Sequence, residues 1–268
     1  MTFGIEEEFV FLDRVSLTPV PVAADVRCDL HGFDSARGVV QSEFLRSQLE
    51  YASPVLRSFQ EAVDALWGFR EALVRCAESQ GVSVAGVGTP FDNPAEANVT
   101  DDSRYAAISD SVGEPAFEHH INGLHIHVGV PDRNAAIGEL NYLRRWLPVL
   151  LAMSSNSPFW CGQDNRFSSW RTIQYRRWTP AGCPPTFIDA AGYDRRTKAL
   201  IGTGVTADKG SISWSARLSC HQPTVGIRVA DASWSPPRRC CWLCWGGHWS
   251  PPPWAGLRLW PWCRVLNC

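Results

Sequence analysis

Apolar and polar residues alternate through Thr2–Leu12: Phe3, Ile5, Phe9 and Phe11 share one parity, and Gly4, Glu6, Glu8 and Val10 share the other. Period-two alternation with aromatic and β-branched residues predicts a strand. The same rule predicts a strand over Asn122–Val130. There Leu124, Ile126, Val128 and Val130 face one way, and His125 and His127 face the other, flanked by Gly123 and Gly129. Thr224–Asp231 is the third such strand, with Val225, Ile227 and Val229 opposed by Gly226 and Arg228. A strand pair carrying Glu43 and Glu50 is predicted between Val39 and Tyr51, and a short buried strand over Val82–Val87.

Helical periodicity appears in three places. Ser58 and Glu61 have capping-box spacing and open a helix whose apolar stripe runs through Phe59, Val63, Leu66, Leu73 and Ala77, closed by Gly81. A second helix is predicted from about Asn134 to Ser154, kinked by Pro148. A short third one spans Tyr193–Ile201. Residues 88–104 and 155–187 are rich in Gly, Pro, Asn and Ser and read as loops.

With 268 residues, a core of the size expected for one large domain is available. Lys+Arg 25 against Asp+Glu 27 leaves a net charge of -2, which gives no electrostatic argument for nucleic acid or an anionic membrane. No basic and apolar leader opens the chain, and the longest apolar run, Trp146–Met153, is too short to span a bilayer. The expected location is cytoplasmic.

The composition breaks after Ala232. Residues 233–268 hold seven Trp, six Pro, five Cys and no acidic residue, without helical or strand period. The expectation is a domain over 1–232 that is incomplete at its C-terminus, followed by an aberrant tail of the kind a shifted reading frame produces. A zinc knuckle from Cys241, Cys244, His248 and Cys263 is the other reading, but no second Cys pair comes after it at suitable spacing.

The polar faces of the three strands carry the candidate chemistry. Glu6 and Glu8 project side by side from an otherwise apolar strand, and burying unpaired carboxylates is costly unless something compensates them. A hard divalent cation takes oxygen ligands and would do so, although a solvated edge strand would show the same pattern. His125 and His127 read either as hydrogen-bonded structural histidines or as ligands. Arg171, Arg176 and Arg177 stand among aromatic residues, where they either hold an anion or stack on the rings. Arg217 and Arg228 are further candidate cations.

Four motifs in this order carry a resemblance: Gly4-Ile-Glu-Glu-Glu-Phe9, Gly123-Leu-His-Ile-His-Val-Gly129, Asn156-Ser-Pro-Phe-Trp160 and His221-Gln-Pro-Thr-Val-Gly-Ile-Arg-Val-Ala-Asp231. From Phe3 to about Ala232 the chain resembles the carboxylate–amine ligases of the glutamate–cysteine ligase type 2 group, relatives of glutamine synthetase. The resemblance implies an α+β fold, an antiparallel catalytic sheet flanked by helices. It implies ATP and Mg²⁺ or Mn²⁺, phosphorylation of a glutamate-type carboxylate, and attack on the acyl phosphate by an amine such as cysteine. It implies metal ligation by Glu6, Glu8, Glu50 and His125, with Glu6 and Glu8 on two different metals. Arg228 and Arg217 would face phosphate as catalytic residues, and Arg171, Arg177 and His127 would contact the nucleotide. Small-molecule substrates are the implied partners, and assembly into a homo-oligomer is expected by analogy. Family members usually carry Glu-x-Arg in the last strand and continue for further helices; here Gly226 takes the place of that Glu and the tail takes the place of the helices.

Two other functions fit parts of the pattern. A metal-dependent hydrolase also uses His-x-His on a strand, but it needs further strand-borne His and Asp, and His31, His119, His120, His221 and His248 show no such pattern. An inactive, truncated relative is the third reading.

Overall fold

The computed structural model describes residues 1–30, 33, 37–93 and 98–233; the predicted tail beyond Ser233 lies outside the described residues. In chain order the elements are β1 Phe3–Leu12, α1 Ala23–Asp29, β2 Val39–Ser42, β3 Gln48–Ala52, α2 Phe59–Ser79, β4 Ser83–Ala85, α3 Ser103–Val112, α4 Glu114–Phe117, β5 Gly123–Gly129, α5 Arg133–Leu143, α6 Leu147–Ser154, β6 Phe159–Trp160, β7 Gln163–Asp164, α7 Trp170–Tyr175, β8 Ala181–Gly182, α8 Ala190–Gly202, β9 Ser213–Trp214, β10 Ala216–Leu218 and β11 Thr224–Asp231.

The main sheet has the order β10-β11-β5-β1-β3-β2, with β4 also paired to β1. Every ladder in it is antiparallel. This is the predicted α+β architecture. The three strands that alternation singled out lie side by side in it, β11-β5-β1, and the apolar residues of β1 and β5 share one core. Ile5, Phe9 and Phe11 of β1, Leu49 and Tyr51 of β3 and Leu124 of β5 pack on Leu66, Phe69 and Leu73 of α2. Tyr51 stacks on Phe69 with ring centroids 4.2 Å apart. A second core joins α5 to the Trp214–Leu218 region and to Val225, Ile227 and Val229 of β11.

Ser58 caps α2 by accepting from the Glu61 N–H, while Glu61 accepts from the Arg57 N–H at 2.7 Å. At the other end Gly81 takes φ +72°, the left-handed conformation that closes helices.

Three expectations need correction. The single helix over Asn134–Ser154 is two helices that part at residues 144–146, ahead of Pro148. A proline ring would meet the carbonyl four residues earlier, at Arg144, so the first helix stops. Pro148 then sits in the first turn of α6, where its missing N–H costs nothing. The stretch 155–187 is not all loop: it contains the β6–β7 hairpin, α7 and β8. The loop expected over 88–104 ends two residues earlier, at Asp102, because the Asp102 carboxylate accepts from the Arg104 and Tyr105 N–H groups and starts α3.

A one-residue irregularity in β11 shapes the site. Ile227 pairs with Ile126, but Ala230 pairs with Leu124, so three steps on β11 match two on β5. The extra residue reverses the parity of the positions beyond it. Gly226 faces the side of His127, and past the irregularity Asp231, opposite Gly123, is brought to that same side.

Candidate active site

The strand registers place the candidate residues on one sheet face. Glu6 pairs with His125 and Glu8 with Glu50, while Gly226 lies between His127 and Arg217. Donor atoms of Glu6, Glu50 and His125 lie within 4.8 Å of one another, and so do those of Glu8, Glu43 and Glu50. Glu50 belongs to both groups. Glu43 enters from the turn between β2 and β3.

His125 is buried, with Nδ1 3.1 Å from Glu6 Oε2 and Nε2 3.7 Å from Glu8 Oε1. His127 puts Nε2 3.2 Å from the same Glu6 oxygen, and Arg228 Nη1 is 3.9 Å away. The Gly123 N–H donates to Glu8 Oε2 at 2.5 Å. Two glycines let these groups approach. A Cβ on Gly123 would collide with the Arg171 guanidinium and the His125 ring. One on Gly226 would stand 3.1 Å from His127 Cε1.

The charges settle unequally. Burial and the charge of Glu43 push the Glu8 carboxyl up to about 8. Burial and the surrounding carboxylates raise Glu50 well above the ordinary range, and burial raises Glu43. Burial acts the same way on Glu6, but its hydrogen bonds with His125 and His127 win and hold it below the ordinary range. Burial and Arg228 push His125 down to about 3, so it is a neutral imidazole that can donate one N–H to Glu6. The face therefore holds more carboxyl groups than can ionise together. Oxygen donors with one neutral imidazole suit a hard divalent cation.

Fixed positive charge borders the carboxylates. Arg171, from α7, is buried, and its Nη1 donates to the Arg228 carbonyl at 3.3 Å. Tyr175 lies under Arg171, whose Cζ is 5.2 Å from the ring centroid, and stands close enough to Arg228 for the two to act on each other's charge. Burial opposes it, but Arg228 and Arg171 bring the Tyr175 hydroxyl below its ordinary range. Buried Nε atoms of Arg171, Arg217 and Arg228 have no hydrogen-bond partner. A cavity of about 180 Å³ opens between Glu8, Glu43, His125, Arg171, Tyr175 and Arg228 and continues to an aromatic wall.

The structure thus brings Glu6, Glu8, Glu50, His125, His127, Arg171 and Arg228 together. Arg217 stands one strand further out, opposite Gly226, with Nη1 donating to the Lys209 carbonyl at 3.2 Å, and is not on the cavity wall. Arg177 is also off that wall; it pairs with Glu118 and donates to Gln174 at 2.7 Å. Sequence reasoning did not place Glu43, Tyr175 or Asp231 in the site. Asp231 accepts from the Asn156 N–H and the Ser157 hydroxyl, both at 2.7 Å, and from the Ser169 hydroxyl at 2.9 Å. It anchors the segment that carries Arg171. Its strand parity pointed away from the site, because the irregularity in β11 leaves no sequence mark.

Among solved structures, a bifunctional glutathione synthetase from Pasteurella multocida superposes with a TM-score of 0.62 at 15% identity, over 86% of this chain and 35% of that one. A glutamate–cysteine ligase from Francisella tularensis, solved in complex with AMP, superposes at 0.60 and 10% identity, over 86% of this chain and 61% of that one. These likenesses establish the fold. In sequence, a protein of Salinispora arenicola named as a glutamate–cysteine ligase 2 is 40% identical over 231 residues, 86% of this chain and 61% of the relative. One from Saccharopolyspora erythraea, named as a glutamate–cysteine ligase 2-2, is 38% identical over 234 residues, 87% and 60%. The chain spans about three fifths of the length of these curated relatives. The profile of the glutamate-cysteine ligase family 2 matches residues 2–239, and the chain belongs to that family.

Proposed function

We propose that this site serves ATP-dependent carboxylate–amine ligation. A glutamate-type carboxylate takes the terminal phosphoryl group of ATP, and an amine then displaces phosphate from the acyl phosphate to form an amide. The observation that carries this reading is the pairing of two donor groups, Glu6–Glu50–His125 and Glu8–Glu43–Glu50, with the guanidinium groups of buried Arg171 and partly exposed Arg228. Phosphoryl transfer needs positioning and neutralisation of charge more than it needs protein nucleophiles. Glu6, Glu8, Glu43, Glu50 and His125 would hold Mg²⁺ or Mn²⁺, which when bound neutralises phosphate charge.

The chain's own residues supply the rest. Arg228, beside Tyr175, and Arg171, held at the Arg228 carbonyl, present fixed positive charge that needs no reorganisation during the reaction. His127 and Arg217 border the same face and complete the set of candidate nucleotide and phosphate contacts. Small-molecule substrates fit a site of this kind, and no helix among the described residues is long and apolar enough to cross a membrane.

The test is calorimetric titration of the chain with Mn²⁺ and ATP, alongside glutamate-dependent ADP release. Glu8→Ala is expected to weaken cation-dependent ATP binding at least about tenfold, roughly 1.4 kcal/mol. Equal affinity in wild type, Glu6→Ala and Glu8→Ala would end this reading.

A further inference from the structure

Two motifs of the sequence take no part in the chemistry above: Asn156-Ser-Pro-Phe-Trp160 and the Val-Ala-Asp end of β11. They meet at one carboxylate. Asp231 is 2% exposed and is not on the cavity wall. Its Oδ2 accepts from the Asn156 N–H and the Ser157 hydroxyl, and its Oδ1 from the Ser169 hydroxyl. Each serine hands the contact on to α7. Ser157 Oγ accepts from the Arg171 N–H at 3.1 Å, and Ser169 Oγ caps the helix by accepting from the Thr172 N–H at 3.3 Å.

A helix of six residues is too short to hold itself, so α7 depends on such ties. It carries Arg171 and Tyr175 at i, i+4 spacing, on one face, to the cavity wall. There Arg171 reaches the carbonyl of Arg228, and β11 carries both Arg228 and Asp231. Guanidinium groups on one wall repel each other, so keeping them there takes fixed points and a counter-charge. Burial raises the Asp231 carboxyl, and the charge of Arg171 is the foremost effect pulling it back. One strand thus holds one arginine directly and the other through a carboxylate and two serines.

We propose that Asp231, through Ser157 and Ser169, sets the position of Arg171 against Arg228 and thereby governs how tightly the site holds a triphosphate chain. Asp231 is a positioning residue that acts through α7. This deepens the ligase reading and rests on its assignment of Arg171 and Arg228 to phosphate.

The experiment titrates the full chain calorimetrically with Mn²⁺ alone and with ATP in the presence of Mn²⁺. Asp231→Asn keeps the size of the side chain and removes its charge. It is expected to weaken ATP about tenfold and to leave Mn²⁺ alone within about twofold, since Asp231 belongs to neither donor group. Gly88→Ala alters none of these groups, but its Cβ would stand 2.6 Å from Asp231 Cγ, so it should weaken ATP in the same direction. The deciding measurement is a double-mutant cycle with Arg171→Met. Once Arg171 is gone, Asp231→Asn should cost less than about twofold more. Circular dichroism melts check that each variant folds, and Gly88→Ala in the same cycle replaces Asp231→Asn should that variant not fold. Additive losses in the cycle, or Mn²⁺ alone weakened as much as ATP, would overturn the proposal and make Asp231 a general support of the fold. ADP release separates the two readings. The expected cycle without glutamate-dependent ADP release removes the ligase reading and leaves the clamp. Glutamate-dependent release with an additive cycle does the reverse, and a wild-type chain that binds no ATP with Mn²⁺ removes both.

Discussion

Glu8 and Glu50 are direct cross-strand partners on β1 and β3, so two carboxyl groups face each other where like charges weaken a sheet. A folded chain keeps such a pair only with protons or cations between them. The Glu8 carboxyl is pushed up to about 8, and Glu50 is raised too. Their unfolded values lie near about 4.3, so from about pH 4.5 to 8 the folded state holds protons that the unfolded chain releases. Stability from these groups therefore falls as pH rises through that window.

Added Mn²⁺ competes with those protons. It should raise the melting temperature more at pH 8 than at pH 6, measured by thermal melts with and without the ion. Glu50→Gln should shrink the difference between the two pH values. A cation effect of equal size at both would contradict the assignment of these carboxylates as its ligands.

Glu7 and Arg70 form a buried pair on the opposite face of β1, and Arg70 also donates to the Ser233 carbonyl. Glu7 is 0% exposed and Arg70 3%. Removing one partner strands the other charge in the core. Arg70→Met should cost about 3–5 kcal/mol in urea unfolding. Glu7→Leu combined with Arg70→Met should recover a large part of that loss. A single-variant cost below about 1 kcal/mol would show that the pair is not desolvated as the structure has it.

The same pair shows what was legible in the sequence. Alternation alone found β1, β5 and β11 and put Glu6, Glu8, His125 and Arg228 on one face, because a strand's period is two whatever its tertiary context. It passed over Glu7 and Arg70, although each breaks an apolar pattern: Glu7 has the parity of Phe3, Ile5, Phe9 and Phe11, and Arg70 lies within the Leu66–Leu73 stripe. Opposite charges intruding on two core faces were the available signal. Nothing comparable marks Glu43 or Tyr175, which lie outside the main-sheet strands, or Asp231, whose parity the irregular β11 ladder reverses.

Gly226 gives a prediction about gain of binding. It lies between His127 and Arg217 across its two ladders, on the face of Glu6. A Cβ there meets His127 at 3.1 Å, and the His127 ring is partly exposed, so it can yield by a few tenths of an ångström. Gly226→Glu adds a carboxylate beside the donor groups and should tighten Mn²⁺-dependent ATP binding by about 1 kcal/mol or more, the scale of a charge-assisted contact. Calorimetry decides this: unchanged or weaker binding in a variant with a normal melt would mean that position 226 does not address the cation.

His120 carries the acid-side prediction. It is 3% exposed, and neither ring nitrogen has a hydrogen-bond partner. Burial pushes its pKa down to about 4. Above the unfolded value of about 6.5 both states are neutral and the full contribution is present. As pH falls below that value the unfolded chain binds a proton that the folded chain refuses, so stability is lost progressively down to about pH 4. The loss reaches about 3 kcal/mol at most, from a difference of roughly 2.5 pK units. His120→Leu removes the titrating group while keeping apolar bulk, so the variant should gain on wild type as pH falls from 7 to 4.5 in urea melts. The carboxyl groups of the site titrate in both proteins and cancel in the comparison. A stability difference between the two that stays constant across this range would show that His120 gains its proton in the folded state as readily as in the unfolded one.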